Sequence, residues 1–295
     1  MDTDGLIVVD KPAGMTSHDV VARIRRLART RRVGHGGTLD PMATGVLIIG
    51  VNRATRLLTY VIGSEKSYLG TIRLGETTVT DDAEGDVTAT VPAGAVTDEA
   101  IRAGLAAQTG EIDQVPSAVS AIKIKGERAY KRVRDGETVE IPARRITVHR
   151  LDVLDIRRPE GRDVIDVDVD VTCSSGTYIR AIARDLGATL GVGGHLTALR
   201  RTAVGEMALD AAATLAELEE RAPDVIGLPL SEAARRAFPH RTASEDETRI
   251  LRHGGPLGSV GIEGPYAVFD PAGEVLAIVS EREGRARAEI VLAPA

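Results

Sequence analysis

The chain has 295 residues, of which 43% are hydrophobic and 27% charged, and its net charge is −6. This is enough apolar material for one large domain, or for a large and a small one. Cys173 is the only cysteine, which excludes an internal disulfide and a zinc site built on paired thiolates. The first residues show no secretory pattern, and no apolar run approaches the roughly 20 residues of a membrane span. We therefore expect a cytoplasmic protein.

The first half of the chain predicts alternating strands and helices. In chain order these are a strand at 6–10, a helix at about 18–30 capped by Ser17, a strand at 45–51, a helix capped by Asn52 and running to about 62, a strand at 68–74, and a helix at about 98–108 capped by Thr97. A Lys/Arg-rich stretch at about 113–140 follows, interrupted by Pro116 and Gly126. It predicts a long insertion between regular elements.

The second half predicts more strands. Alternating patterns cover 146–156 and 163–173, and in the second the aliphatic residues take one face and the aspartates the other. This predicts a sheet with one solvent-facing side. Ser174 or Ser175 is placed to cap a helix at 176–190, followed by a strand at 195–207 and a helix at 214–222. Beyond residues 223–240, short runs punctuated by Gly and Pro predict a small β-rich module. The expected fold class is α+β with a mixed sheet.

Two short segments concentrate positive charge in a chain that is acidic on average. Residues 23–32, RIRRLARTRR, hold six arginines and no acid. Residues 123–134, KIKGERAYKRVR, carry six basic groups against Glu127. A solvated helix face would explain one such run, whereas two runs beside the motifs below favour a bound anion.

The stretch GHGGTLDPMATGVLIIG at 34–50 is unusually constrained for a connecting loop. It contains no P-loop, GVGGH at 191–195 fails the dinucleotide-binding spacing, and no nucleophile elbow is present. The six histidines are far apart in sequence, so no histidine-based metal site is predicted. What remains is Asp40, held between Gly-rich backbone and Pro41. A carboxylate there is typical of a turn; alternatively, it serves as a nucleophile or base in a loop that approaches a ligand closely.

Five segments together resemble the TruB family of tRNA pseudouridine synthases. In order they are DKPAGMTS (10–17), GHGGTLDPMATGVL (34–47), KSYLGTIRLG (66–75), GTYIRAIARDLG (176–187) and HLTALRRTAVG (195–205). The resemblance implies a pseudouridine synthase catalytic fold at 1–230, with a central mixed, mainly antiparallel sheet flanked by helices. It also implies an RNA-gripping thumb at about 113–140 and a small β-rich, PUA-like RNA-binding module at 231–295.

The resemblance further implies an activity and the residues that carry it. The family isomerises a T-loop uridine, position 55 of tRNA, to pseudouridine without a metal or cofactor. Asp40 matches the catalytic aspartate, Tyr68 would stack on the flipped base, and Arg180 would pair with Asp40 and lower its pKa. Tyr178 and Leu199 would complete the pocket. Whether Asp40 attacks C1′ or deprotonates C2′ stays open.

The expected partner is the T-arm of tRNA, bound by a monomer without a membrane or an obligatory protein partner. His35 would occupy the space that the extruded base vacates, and Gly34, Gly36 and Gly37 would admit the RNA. Further RNA contacts are predicted for Lys11, Arg23, Arg26, Arg29, Lys123, Lys125, Arg128 and Lys131.

Three other functions stay open at the level of sequence. One is a guide-dependent or rRNA-modifying synthase of the same superfamily. Another is an RNA chaperone that opens the T-arm without catalysis, which the basic segments motivate. The third is a metal-dependent nuclease, motivated only by the acid-rich DDAEGD at 81–86, which falls in a predicted hairpin tip.

Overall fold

A computed structural model describes residues 4–117 and 141–293 in full, and the backbone of residues 123–124 and 127–128 between them. The strands are β1 Gly5–Lys11, β2 Val33–Gly36, β3 Thr44–Val51, β4 Lys66–Leu74, β5 Glu76–Thr78, β6 Val87–Thr90, β7 Gly110–Gln114, β8 Lys123–Ile124, β9 Glu127–Arg128, β10 Arg144–Arg157, β11 Ile165–Cys173, β12 Gly194–Val204, β13 Met207–Ala208, β14 Leu228–Pro229, β15 His240–Thr242, β16 Leu257–Gly258, β17 Tyr266–Phe269, β18 Val275–Arg282 and β19 Arg285–Val291. The α-helices are α1 Ser17–Leu27, α2 Leu58–Gly63, α3 Asp98–Ala106, α4 Ile179–Thr189, α5 Leu215–Arg221, α6 Leu230–Ala237 and α7 Glu245–Arg252. Two 3₁₀ turns cover Asn52–Leu57 and Leu209–Ala211.

A ten-stranded sheet forms the centre of the molecule. Its main path runs β14-β1-β3-β12-β4-β11-β10-β7, with β2 beside β3 and β13 beside β12. The β3–β12 pair is parallel and the other pairs are antiparallel. A second, five-stranded sheet has the order β15-β17-β18-β19-β16. The prediction of a mixed, mainly antiparallel sheet plus a β-rich C-terminal module is confirmed.

The strands β1 and β3 lie between two hydrophobic cores, which explains why they read as continuous apolar runs. Ile7 and Val9 pack on one side with α1, α3 and α4. Leu6 and Val8 pack on the other side with α2, α6 and the C-terminal sheet. Because successive side chains of a strand point to opposite faces, both faces must be apolar when both are covered. The loop that precedes β3 is therefore attached to a rigid, fully buried strand.

The other end of the main sheet has one solvent-facing side, as predicted. The aliphatic residues of β11 pack in the core, and its aspartates lie on the other face, where Asp168 and Asp170 are partly exposed and Asp166 is buried. Cross-strand arginines pair with those aspartates in three ion pairs: Arg73 with Asp166 at 2.8 Å, Arg157 with Asp168 at 2.7 Å, and Arg150 with Asp170 at 2.8 Å. The acids of this strand are thus neutralised by arginines of the sheet itself.

The predicted helix caps are right for Thr97 but wrong at the N-termini of α1 and α4. Thr97 accepts a hydrogen bond from the Ala100 amide. Helix α1 is capped by Thr16 in a reciprocal capping box with Asp19, not by Ser17. Helix α4 begins at Ile179 without a side-chain cap. The serine hydroxyls assigned to these caps bond elsewhere in the fold: Ser17 to Leu39, Ser174 to Thr147 and Ser175 to Ile62.

The predicted cap at Asn52 is also wrong. Asn52 has a positive φ of 52° and opens a 3₁₀ turn, and the α-helix starts only at Leu58. The Asn52 amide oxygen accepts a hydrogen bond from the Thr30 hydroxyl at 2.8 Å. Asparagine tolerates this left-handed conformation better than most residues, which explains its place at the junction.

Within the described ranges, no helix is both long and apolar enough to cross a membrane.

Candidate active site

The loop between β2 and β3, residues 37–43, carries Asp40 and is held from beneath by the KPAGMTS segment. The Ser17 hydroxyl accepts a hydrogen bond from the Leu39 amide at 2.9 Å and donates one to the Leu39 carbonyl at 3.1 Å. The Lys11 ammonium donates to the Pro41 carbonyl at 3.2 Å. The two residues that flank Asp40 are therefore fixed by side chains from the first predicted motif.

Arg201 of β12 fixes the same loop from the opposite side. Its buried guanidinium donates to the carbonyls of Val46, Gly37 and Thr38 at 2.7, 3.2 and 3.4 Å. The backbone approach is close, because a Cβ built on Gly45 would lie 2.2 Å from the Arg201 carbonyl oxygen. Gly45 also has a φ of +96°, a conformation that glycine adopts readily. The motifs at 10–17, 34–47 and 195–205 thus meet around one loop.

The Asp40 carboxylate faces a guanidinium that two aspartates share. Arg180 Nε lies 3.1 Å from Asp40 Oδ2, as the resemblance implied. Arg180 Nη1 lies 3.4 Å from Asp82 Oδ2 and donates to the Thr80 carbonyl at 2.7 Å. Arg180 belongs to the first turn of α4, and Asp82 belongs to the turn between β5 and β6. The predicted hairpin tip therefore folds back onto the site and orients Arg180.

Arg180 lowers the pKa of Asp40, as predicted, but burial raises that pKa by more, an effect that the sequence did not indicate. Although 36% of the Asp40 side chain is accessible, desolvation by the surrounding protein raises its pKa above the ordinary value. Arg180 acts in the opposite direction and lowers the pKa, whereas nearby Asp82 raises it again. Arg180 thus offsets only part of the burial penalty, which makes the carboxylate more basic than an exposed aspartate.

The remaining pocket residues come together as predicted. Tyr68, Tyr178 and Leu199 line, with Asp40 and Arg180, one cavity of about 320 Å³. This volume is in the range of small-ligand sites. Burial raises the pKa of the Tyr68 hydroxyl, and the neighbouring Arg201 acts against that rise. The phenol is therefore neutral at physiological pH.

The position of Tyr178 depends on a residue that the sequence did not single out. Gln114, at the end of β7, donates to the Tyr178 carbonyl at 3.1 Å and accepts from the Tyr178 amide at 2.8 Å. This two-point contact fixes the backbone immediately before α4. The helix that carries Arg180 is therefore positioned by the strand that leads into the predicted thumb.

Lys66, Arg201 and Asp82 also contribute to the site without having been assigned to it. Lys66 and Arg201 line the cavity, and the Lys66 ammonium donates to the carbonyls of Ile62 and Ser64 at 2.9 and 2.8 Å. Burial, together with the nearby Arg201 charge, lowers the pKa of Lys66 to about 8. The signal for Lys66 and Arg201 was their place inside matched motifs, and for Asp82 it was the acid-rich turn.

The predicted RNA-facing glycines need a correction. A Cβ on Gly36 would lie 3.1 Å from Val61 Cγ1, and one on Gly34 would lie 3.3 Å from Leu58 Cδ1. These two glycines therefore make room for α2 inside the protein, not for RNA. Gly37 has a φ of +93° and lines the cavity. It is the glycine of this group that faces the site.

Two of the predicted RNA-binding residues are bonded within the protein. Lys11 has an exposed fraction of 0%, and its ammonium donates hydrogen bonds to the carbonyls of Pro12, Met15 and Pro41. An RNA phosphate cannot reach it, so the predicted contact at Lys11 is wrong. Arg23 forms an ion pair with Glu219.

The other predicted RNA-binding residues divide into two groups. Arg26 and Arg29 are exposed near the C-terminal end of α1, and His35 is half-buried. The predicted contacts at Lys123, Lys125, Arg128 and Lys131 concern side chains that lie outside the described residues.

Two histidines that are far apart in sequence lie close together in the structure. The rings of His18 and His35 are 5.2 Å apart, edge to face. Among the described residues, however, no group of three or more His, Cys, Asp or Glu side chains is arranged to hold a metal ion.

Comparison with known proteins decides the family. The family model for the N-terminal domain of "TruB family pseudouridylate synthase" matches residues 25–179, more than half of the chain. The chain belongs to the TruB family. Models for "tRNA pseudouridylate synthase B C-terminal domain" and "tRNA Pseudouridine synthase II, C terminal" match residues 180–224 and 238–293. The predicted family is confirmed, and the TruB match extends into the second sheet.

Curated TruB relatives cover nearly the whole chain. The protein named tRNA pseudouridine synthase B of Paenarthrobacter aurescens (strain TC1) is 56% identical over 98% of this chain and 95% of its own length. The proteins of the same name from Thermobifida fusca (strain YX) and Streptomyces coelicolor (strain ATCC BAA-471 / A3(2) / M145) are 56% and 57% identical, over 98% and 96% of this chain and 99% and 95% of their own lengths.

Solved structures show the same fold. A chain of an H/ACA RNP bound to a substrate RNA containing 2′-deoxyuridine aligns with a TM-score of 0.72 at 24% identity, over 99% of this chain and 86% of that one. A chain of the archaeal box H/ACA sRNP Nop10-Cbf5 complex aligns with a TM-score of 0.71 at 26% identity, over 98% and 86%. The predicted pseudouridine synthase fold is confirmed for this TruB chain.

Proposed function

We propose that the chain isomerises the T-loop uridine at position 55 of tRNA to pseudouridine. The observation that carries the proposal is the Asp40 carboxylate, held by Arg180 in a cavity walled by Tyr68, Tyr178 and Leu199. TruB relatives at 56% identity over almost the whole chain are named tRNA pseudouridine synthase B, which supports a tRNA substrate.

The reaction needs the target nucleotide to leave the RNA stack, because Asp40 must reach its sugar. In the proposal, Tyr68 stacks on the extruded uracil, and the ionised Asp40 carboxylate acts on the ribose as the glycosidic bond breaks. Attack at C1′ and deprotonation at C2′ both need this carboxylate in its charged form. The uracil then rotates, C5 bonds to C1′, and the C5 proton is removed.

In the proposal, the parts of the chain that form the two sheets have different roles. Residues 1–230 form the catalytic domain, the insertion at about 113–140 grips the T-arm, and residues 231–295 form a small RNA-binding module. Arg26 and Arg29 contact phosphates on one side of the cavity, and His35 enters the space that the base vacates. The enzyme works as a monomer on tRNA in the cytoplasm.

A tritium-release assay tests the activity. The purified protein is incubated with an unmodified tRNA transcript that carries tritium at uridine C5, and released label is measured with time. Wild type is expected to release one tritium per tRNA, and Asp40→Asn none. Asp152, an exposed carboxylate on β10 of the main sheet, gives the matched control Asp152→Asn, which is expected to behave as wild type. No release by wild type, or undiminished release by Asp40→Asn, would overturn the proposal.

Mapping of pseudouridine in the treated RNA separates the tRNA enzyme from a guide-dependent or rRNA-modifying one. Modification confined to position 55 of tRNA, without an added guide RNA, is expected. Modification that requires a guide, or that appears in ribosomal RNA, would favour the alternative. The 24–26% identity to the H/ACA chains against 56% to the tRNA enzymes supports the tRNA assignment.

The chaperone and nuclease alternatives have separate tests. If Asp40→Asn still accelerates folding of a misfolded tRNA, a chaperone role exists beside catalysis. Two of the four acids that motivated a nuclease face arginines: Asp82 lies 3.4 Å from Arg180, and Asp81 lies 3.6 Å from Arg184. Their charge is thus used in ion pairs. Cleavage of tRNA that a chelator abolishes would revive the nuclease hypothesis.

A further inference from the structure

The second residue of α1 carries an aromatic ring that no step of the proposed reaction uses. His18 is exposed on the helix surface, and its ring meets that of His35 with the ring centroids 5.2 Å apart and the ring planes at 78°. This is the edge-to-face arrangement that aromatic pairs prefer. The two residues come from different predicted motifs, so the pair forms only when the chain folds.

His35 has a backbone hydrogen bond with Gly37 beside the contact with His18. It is half-buried on β2, and its Nδ1 is buried with no hydrogen-bond partner in the described part of the chain. A buried ring nitrogen without a partner does not define the orientation of a side chain by itself. The neighbouring glycines supply no side chains to pack against the ring. The edge contact from His18 is therefore a second restraint, beside the Gly37 hydrogen bond, on where the His35 ring points.

The charge state of His35 suits contact with an RNA base. Burial lowers the pKa of His35, and the adjacent His18 and Arg201 lower it further, whereas a backbone contact with Gly37 raises it. The His35 ring is consequently neutral at pH 7, as a stacking surface requires. Arg26, which is also exposed, lies on the same helix as His18.

We propose that His18 is a positioning residue for RNA: its ring holds the His35 ring in the orientation that replaces the extruded base. This inference rests on the proposed function, because it assumes that a base is extruded beside His35. His18 takes no part in the chemistry at Asp40. It acts on the equilibrium between stacked and extruded substrate.

The test measures base extrusion apart from catalysis. In the Asp40→Asn background, a T-arm stem-loop with 2-aminopurine at the target position reports extrusion as a rise in fluorescence. His18→Ala is expected to lower the extrusion equilibrium by about three- to tenfold, the range of one edge-to-face ring pair. His18→Phe keeps a ring at this place and is expected to restore most of the signal. Thermal unfolding of each variant verifies that the fold is intact.

A double-mutant cycle then distinguishes a role of His18 that acts through His35 from a contact between His18 and the RNA that does not depend on His35. The effect of His18→Ala is expected to vanish in a His35→Ala background. Arg26→Ala, on the same helix, is the control, and its effect is expected to add to that of His35→Ala. Equal losses from His18→Ala in both backgrounds, or no loss in either, would overturn the inference. Failure of the proposed function is distinguishable, because wild type would then release no tritium from tRNA.

Discussion

Arg180 Nη1 lies 3.4 Å from Asp82 Oδ2, and through this contact the turn between β5 and β6 orients the guanidinium that faces Asp40. Only 3% of the Asp82 side chain is exposed. The carboxylate also accepts a hydrogen bond from the Glu84 amide at 3.0 Å, which fixes its position. The Asp40 carboxylate is therefore placed by a chain of contacts that begins in an acid-rich turn.

Replacing Asp82 should impair catalysis although Asp82 does not line the cavity. Asp82→Asn removes the charge that holds Arg180, and a catalytic group misplaced by about 1 Å costs on the order of 100-fold in rate. We expect a single-turnover rate lower by about 10- to 100-fold, with little change in tRNA affinity. Asp81→Asn is the control, since Asp81 pairs with Arg184. A normal rate in Asp82→Asn with an unchanged melting temperature would contradict this role.

The raised pKa of Asp40 predicts the acid limb of the pH–rate profile. Activity needs the ionised carboxylate, so kcat/KM should fall with decreasing pH, beginning above the ordinary aspartate value. Arg180 lowers the pKa of Asp40, so removing its charge should move the limb to higher pH. We expect the midpoint to rise in Arg180→Gln and to stay near that of wild type in Arg180→Lys. Identical midpoints in all three proteins would show that Arg180 does not tune this carboxylate.

How well a structural feature of this molecule can be predicted from the sequence depends on how far apart in the chain the contacting residues are. The strands were predictable because an apolar run or strict alternation reflects burial directly, as in β3 and β11. The helix caps were less predictable, since neighbouring Thr16 and Ser17 both suit a cap. The Ser17 hydroxyl is instead bonded to Leu39, a partner 22 residues away.

In the candidate active site, too, contacts between residues far apart in the chain were not predicted. Asp40, Tyr68 and Arg180 were identified because each sits in a matched motif. The contact between Asp82 and Arg180 joins two elements whose approach depends on how the β5–β6 ribbon folds across the sheet. The direction of the Asp40 pKa depends on burial, which no local pattern encodes. His18 and His35 were judged remote because they are separated in sequence, whereas α1 brings them into contact.

Gly45 should be among the least replaceable glycines of the fold. In Gly45→Ala the new Cβ would lie 2.2 Å from the Arg201 carbonyl oxygen, and the φ of +96° disfavours any side chain. Strain combined with overpacking predicts a loss of more than about 3 kcal/mol in the free energy of unfolding. Gly63→Ala, where no atom lies within 4 Å of the new Cβ, should change it by less than about 1 kcal/mol. Urea denaturation of both variants measures the difference, and equal losses would contradict the close approach of β3 and β12.

Lys66 should make stability rise with pH in the alkaline range. Its pKa is about 8 in the folded protein and 10.5 ordinarily, so between these values the unfolded chain binds more protons. Below pH 8 both states are protonated and the penalty for burying the charge is fully present. From pH 7 to pH 10.5 the wild type should therefore gain up to about 3 kcal/mol relative to Lys66→Met. Parallel stability profiles of the two proteins would refute the depressed pKa.

The arginines of α1 should differ in their effect on RNA binding. Each phosphate contact adds about 1 to the slope of log affinity against log salt concentration. Arg26 is exposed, so Arg26→Ala should lower that slope by about 1 and weaken binding at low salt. The Arg23 guanidinium is paired with Glu219, so Arg23→Ala should change the slope much less. Titrations of unmodified tRNA at several salt concentrations measure both slopes. If the two variants lose the same slope, the ion pair does not withhold Arg23 from the RNA, and α1 binds through its whole basic face.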